Sequence, residues 1–126
     1  MEKMTSERDT IENRTFEEIA RGDKASLTRT LTRDDIDLFA VVSGDINPTH
    51  VDMDFATAAG WDEVSGHSMW TGTLISALLG TELPGPGTQY VSQSLHFRRP
   101  IKLGDTLTVR ITVAGKQESL RRIELD

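Results

Sequence analysis

The run Ser68-Met69-Trp70-Thr71-Gly72-Thr73-Leu74-Ile75-Ser76-Ala77-Leu78-Leu79 is apolar or small nearly all the way round a helix. A helix of that kind is expected to be buried, since no face of it suits water. Gly80 fits a C-cap, and Leu83-Pro84-Gly85-Pro86-Gly87 forbids more helix. Two strand-like runs follow. The first covers residues 88 to 98, with Val91, Leu95 and Phe97 on one face. In the second, Leu107, Val109, Ile111 and Val113 alternate with Thr108, Arg110 and Thr112. Gly104-Asp105 between them is a hairpin cue. A third strand is expected from near Ser119 to the end.

Upstream, residues 25 to 31 alternate and predict a strand. Thr32 and Asp35 resemble a capping box with Asp in place of Glu. Ile36, Phe39 and Ala40 then recur at helical spacing, which predicts an amphipathic helix over 33–42. Residues 1–14 read as a polar lead, with Phe16 and Ile19 as the first anchors. Residues 15–126 read as a single domain. Strands running in sequence after helices define an α+β protein. An antiparallel sheet wrapped around one long central helix fits this inventory.

Just after the first predicted helix lies Ser43-Gly44-Asp45-Ile46-Asn47-Pro48-Thr49-His50. Asn47 before Pro48 is biased toward extended backbone, so the helix should stop before the motif. Asp45 and His50 are then expected on irregular chain. A carboxylate and an imidazole at this spacing can hold one water between a base and an acid. The residues alone leave another reading open, in which Asp45 only stabilises a turn and His50 is an ordinary histidine. His67 at the head of the buried helix reads as a capping or packing group rather than a catalyst. A mid-helix serine such as Ser76 commonly bonds back to a carbonyl one turn earlier.

Composition removes several classes of function. No cysteine occurs, so a disulfide framework and a thiolate zinc site are both excluded. A net charge of -6 argues against general affinity for nucleic acid. No apolar run approaches the ~20 residues of a membrane helix, and the start lacks a signal-peptide pattern. A cytoplasmic setting is the expectation. Three histidines give no metal-ligand spacing, and neither a glycine-rich phosphate loop nor a G-x-S-x-G nucleophile elbow is present. Residues 96–122 carry seven basic side chains against Asp105 and Glu118. They read as a solvated sheet face, or as a landing place for a phosphorylated ligand.

Ser43 to Asp52 resembles the signature of the MaoC-like dehydratases, the (R)-specific enoyl-CoA hydratase family. The likeness continues through Gly66-His67-Ser68-Met69, Leu74-Ile75-Ser76, Leu79-Gly80, Leu83 to Gly87, Ser92 to Phe97 and the Pro100–Asp105 turn. The resemblance implies a hotdog fold, usually in a dimer or larger homo-oligomer. It implies hydration of trans-2-enoyl-CoA to (R)-3-hydroxyacyl-CoA, with no cofactor and no metal. It makes Asp45 and His50 the catalytic pair and Ser76 a third motif position, with Asn47 and His67 in support. The backbone N–H of Ser68 is the expected oxyanion donor, at a position where the family usually has Gly. Arg98 and Arg99 are candidates for the CoA phosphates on charge alone. Family domains continue through another strand beyond the position of residue 126, so a domain shortened at its C-terminus is a further expectation. The same fold would also suit a thioesterase, or a non-catalytic subunit binding acyl-CoA or an acyl carrier.

Overall fold

Alternation along the second predicted strand becomes β2 (Thr106–Gln117), which lies between β1 (Lys24–Thr30) and β3 (Arg122–Leu125) in a three-stranded sheet. The computed structural model describes residues 11–126. On β1 and β2 the Thr28 and Thr108 hydroxyls meet at 3.0 Å, and those of Thr30 and Thr106 at 2.7 Å. The partner number falls as the β1 number rises, so the two strands are antiparallel. β3 pairs antiparallel with β2 from Gln117↔Arg122 to Val113↔Leu125, with a register shift between Val113 and Gly115. A 3-10 turn at Glu118–Leu120 joins them, and Arg121 closes it at φ 50°.

The backbone contacts divide the chain into two units. The first takes residues up to Leu27 with Ile75–Ser92 and Val109–Asp126. Its core holds Ile19, Leu78, Leu79, Leu83, Ile111 and Val113, flanked by Val109, Ile123 and Leu125. Alternate residues of β2 thus face the core while Arg110 stays exposed. Each fully buried Leu, Ile or Val contributes about 1.5–3 kcal/mol relative to exposure. Phe16 lies beneath the Lys116 ammonium, 4.2 Å from the ring centroid.

The second unit takes Thr28–Leu74 with Gln93–Thr108. α1 (Arg33–Ser43) opens with the expected capping box: the Thr32 side chain accepts from the Asp35 N–H, and Asp35 accepts in return from the Thr32 N–H. Gly44 ends α1 in the left-handed region at φ 76°, which only glycine adopts freely. Two short helices follow, α2 (Pro48–Val51) and α3 (Met53–Ala58). The long helix α4 (Ser68–Thr81) starts at the expected residue.

Several expectations need correcting. His50 lies on a helix, not on irregular chain. Pro48 restricts Asn47, but its fixed φ suits the first helical position, so the same residue that stops α1 from continuing starts α2. Gly80 is inside α4, which runs one residue further, rather than being its cap. α4 is not buried on every side. Trp70, Leu74 and Leu78, four residues apart, form its buried stripe with Leu79, while Met69, Thr73, Ser76 and Ala77 are exposed. Residues 88–98 form no strand. A strand needs a neighbour for its N–H and C=O groups, and residues 89–100 make no backbone–backbone hydrogen bond among the described residues. Tyr90, Val91 and Phe97 stay exposed. Gly104-Asp105 therefore makes a turn but no hairpin, held by Asp105 N–H to the Lys102 carbonyl at 3.0 Å. Of the polar lead, residues 1–10 lie outside the described residues, while 11–14 are exposed and irregular.

Candidate active site

The Asp45 segment is arranged by short-range hydrogen bonds. The Asp45 N–H donates to Ser43 Oγ at 3.1 Å, and Asp45 Oδ1 accepts from the Asn47 N–H at 3.2 Å. Asn47 caps α2, its Oδ1 accepting from the Thr49 N–H at 3.1 Å and the Thr49 hydroxyl at 2.9 Å. Asp45 does stabilise its turn, as an Asx residue does, but through one long bond to one oxygen. The other carboxylate oxygen has no partner among the described residues, and the residue is exposed. Turn formation and chemistry are thus compatible at this side chain.

α2 carries His50 toward buried chain. Its Nδ1 lies 2.7 Å from the Ser65 carbonyl oxygen and 3.0 Å from Ser65 Oγ. A carbonyl only accepts, so Nδ1 carries a proton, and the lone pair of the neutral ring is on Nε2. His67 faces the opposite requirement. Its Nε2 lies 2.8 Å from the Asp45 carbonyl oxygen, so Nε2 is the protonated nitrogen. Its Nδ1 is buried without a hydrogen-bond partner. The His67 ring packs against two others in tilted contact, with centroids 4.7 Å from Phe39 and 4.2 Å from His50.

Asp45, His50 and His67 each offer a carboxylate oxygen or ring nitrogen, and these atoms lie within 4.8 Å of one another. One water spans such a gap, since two hydrogen bonds of ~2.8 Å each reach further than that. The histidines scattered along the chain show no metal-ligand spacing, yet the fold gathers two of them with an aspartate. Of the three, His67 is the least suited to a cation. Its Nε2 serves as a donor, and its Nδ1 is enclosed by protein.

Ser68 is the first residue of α4. Its N–H has no acceptor among the described residues, and its hydroxyl caps nothing. The free N–H sits at the positive end of the helix dipole, next in sequence to His67. Ser76 is exposed on α4 in the first unit, and its hydroxyl does not bond back to a carbonyl as Thr73 and Thr81 do. Arg98 and Arg99 are exposed on the irregular 89–100 segment with no ion pair among the described residues. His96 is exposed there too.

The parts that two residues of this region play are not legible in the sequence. Ser65 presents the carbonyl that orients His50, and main-chain acceptors leave no mark in residue identity. Gly66 is the other. A Cβ there would lie 2.5 Å from Leu31 Cδ2 and 2.8 Å from Ile101 Cδ1. The Gly66 N–H donates to the Ile101 carbonyl at 2.7 Å, so the backbone passes where a side chain has no room. The visible signal was a glycine flanked by polar residues ahead of an apolar helix.

A carboxylate and an imidazole within water-bridging distance, next in the fold to a helix N-terminus on an α+β frame, are suited to acid–base chemistry. Residues 15–125 match the MaoC-like domain, and the chain belongs to that family. It is 48% identical over 100 residues to an (R)-specific enoyl-CoA hydratase of Rhodospirillum rubrum, covering 79% of this chain and 69% of that protein. Among solved structures it is similar to the R-hydratase PhaJ1 from Pseudomonas aeruginosa, with 45% identity and a TM-score of 0.81 over 84% of this chain and 68% of that one. It is also similar to the (R)-hydratase of Aeromonas caviae, with 36% identity and a TM-score of 0.76 over 79% and 76% of the two chains. The fold is the hotdog fold of these hydratases.

Proposed function

We propose that this chain is an (R)-specific enoyl-CoA hydratase, a hydro-lyase that adds water reversibly to trans-2-enoyl-CoA. The observation that carries this reading is the Asp45 carboxylate and His50 ring held within 4.8 Å of each other, on the motif that marks the family. In the forward direction water sits between Asp45 and His50 Nε2. Its oxygen bonds to the β carbon while Asp45 takes its proton. The π electrons of the double bond move toward the thioester, and the Ser68 N–H holds the negative oxygen that results. A proton from His50 Nε2 then completes the α carbon. A ring that donates there carries protons on both nitrogens, and the Nδ1 proton stays on the Ser65 carbonyl throughout. The proton left on Asp45 returns to His50, so the pair ends as it began. Because the two groups are coupled, their protons belong to the pair rather than to either residue.

Asn47 supports the site by capping α2 and donating its N–H to Asp45. His67 supports it from the buried side. Ser76 is assigned a supporting role because it falls at the family's third motif position. Arg98 and Arg99, exposed and unpaired among the described residues, suit the CoA phosphates. A homodimer or larger homo-oligomer is part of the reading, supported by the unpaired backbone of residues 89–100. Among the described residues no helix is long and apolar enough to cross a membrane, and a cytoplasmic setting completes the proposal.

Asp45→Asn and His50→Gln test the assignment. Each removes a proton-transfer group while keeping size and hydrogen bonding, and each should lower turnover by at least ~10²-fold with the fold intact. Wild-type turnover in both variants would end the mechanism.

A further inference from the structure

Both members of the catalytic pair are tied to the same three buried residues. Asp45 sits on an exposed loop. Two of its hydrogen bonds, to Ser43 Oγ and from the Asn47 N–H, involve residues two positions away that move with it. Among the described residues its one long-range hydrogen bond is from the His67 imidazole, 22 residues distant, at 2.8 Å on its carbonyl oxygen. Among the described residues, His50 likewise has one long-range hydrogen-bond partner, Ser65, 15 residues distant.

The stretch Ser65-Gly66-His67 is itself immobilised. Ser65 is 4% exposed and His67 2%. Ser65 pairs with Lys102 in an isolated antiparallel bridge and donates its N–H to the Thr49 carbonyl at 3.1 Å. Gly66 is wedged against Leu31 and Ile101 with no room for a Cβ. The His67 ring packs in tilted contact with both Phe39 and His50, which restricts its movement.

We propose that Ser65-Gly66-His67 is a gauge that sets the separation of Asp45 and His50, with His67 as a positioning residue that takes no part in proton transfer. The inference rests on the assignment of Asp45 and His50 as the catalytic pair. His67 is well placed to hold and badly placed to transfer. Its Nε2–H is directed at a backbone carbonyl, and Nδ1 is buried without a hydrogen-bond partner among the described residues. What it controls is the orientation of the Asp45 peptide, and through it the carboxylate. Misplacing a catalytic group by about 1 Å is enough to cost on the order of 10²-fold in rate.

The test uses the full chain with crotonyl-CoA and four variants: His67→Phe, His67→Gln, Asp45→Asn and Asp45→Asn combined with His67→Phe. Phenylalanine keeps the ring and loses the donor, while glutamine keeps an N–H that can reach the same carbonyl. His67→Phe should lower kcat at least ~10-fold with KM within about threefold. His67→Gln should recover most of that loss. His67→Phe should cost almost nothing further on Asp45→Asn, because its effect passes through Asp45. Wild-type kcat in His67→Phe, equal damage in both His67 variants, or full additivity on Asp45→Asn would each overturn the gauge. Should His67→Phe not fold, imidazole nitrogen NMR of the wild-type protein decides. A proton on Nε2 alone supports the gauge, and one on Nδ1 overturns it. Loss of activity in Asp45→Asn with an unaffected His67→Phe sinks the gauge alone. Wild-type activity in Asp45→Asn sinks the assignment beneath it.

Discussion

Gly66→Ala adds one methyl group at the tightest point near the site. The new Cβ would lie 2.5 Å from Leu31 Cδ2 and 2.8 Å from both Cδ1 and Cγ1 of Ile101. Carbon atoms in contact prefer about 3.5–4.0 Å, so the overlap is about 1.0–1.5 Å at Leu31 and about 0.7–1.2 Å at Ile101. Leu31 and Ile101 are buried and have little freedom to retreat. The backbone must then shift, against the Gly66 N–H bond to the Ile101 carbonyl at 2.7 Å. Overpacking of this kind costs about 1–3 kcal/mol, or about 3–10 °C in Tm for a domain of this size. Because Ser65 and His67 flank the glycine, kcat should fall with stability, by about 10-fold or more. Urea melts read the first effect as a lower midpoint at unchanged slope, and steady-state kinetics read the second. A variant within about 0.5 kcal/mol of wild type, with normal kcat, would refute both the packing argument and the importance of the segment.

Other outcomes follow from single residues. Burial pushes the Asp35 carboxyl up, but the Thr32 backbone and hydroxyl bonds, with Arg29 2.7 Å away, together hold it below its ordinary 3.8. A depressed folded value means stability present above pH ~4 and lost as pH falls through the folded value. Urea melts across that range should show the acid loss shrinking in Asp35→Asn. Leu78→Ala empties a fully buried position and should cost about 2–5 kcal/mol by denaturant melt. Ser68→Pro removes the proposed oxyanion N–H at a first helical position that tolerates proline. It should lower kcat by about 10²–10³-fold with helix content unchanged by circular dichroism.

Local features were the legible ones. The Thr32–Asp35 capping box, the alternation of β2 and the start of α4 each depend on residues a few positions apart, so the sequence displays them directly. The proximity of Asp45 and His50, the proposed catalytic pair, was legible for the same reason, since they are five positions apart in a motif. The ties that orient the pair were hidden, because Ser65 and Asp45 accept through main-chain carbonyls. His50 was misplaced because the Asn47-Pro48 signal was read only for what it stops. The 88–98 run has the alternation of a strand, but alternation reports a face and not a partner. α4 reads as buried on all sides from composition, though only the stripe through Trp70, Leu74 and Leu78, with Leu79, is covered.

The central claim is hydration at the β carbon by a water held between Asp45 and His50. Incubating the wild-type chain with crotonyl-CoA, while following enoyl absorbance and free thiol together, tests it most directly. The expected result is loss of absorbance with no thiol released and (R)-3-hydroxybutyryl-CoA as product. Release of thiol would mean hydrolysis of the thioester, and binding without turnover would mean a non-catalytic acyl-CoA carrier. Either result would contradict the account.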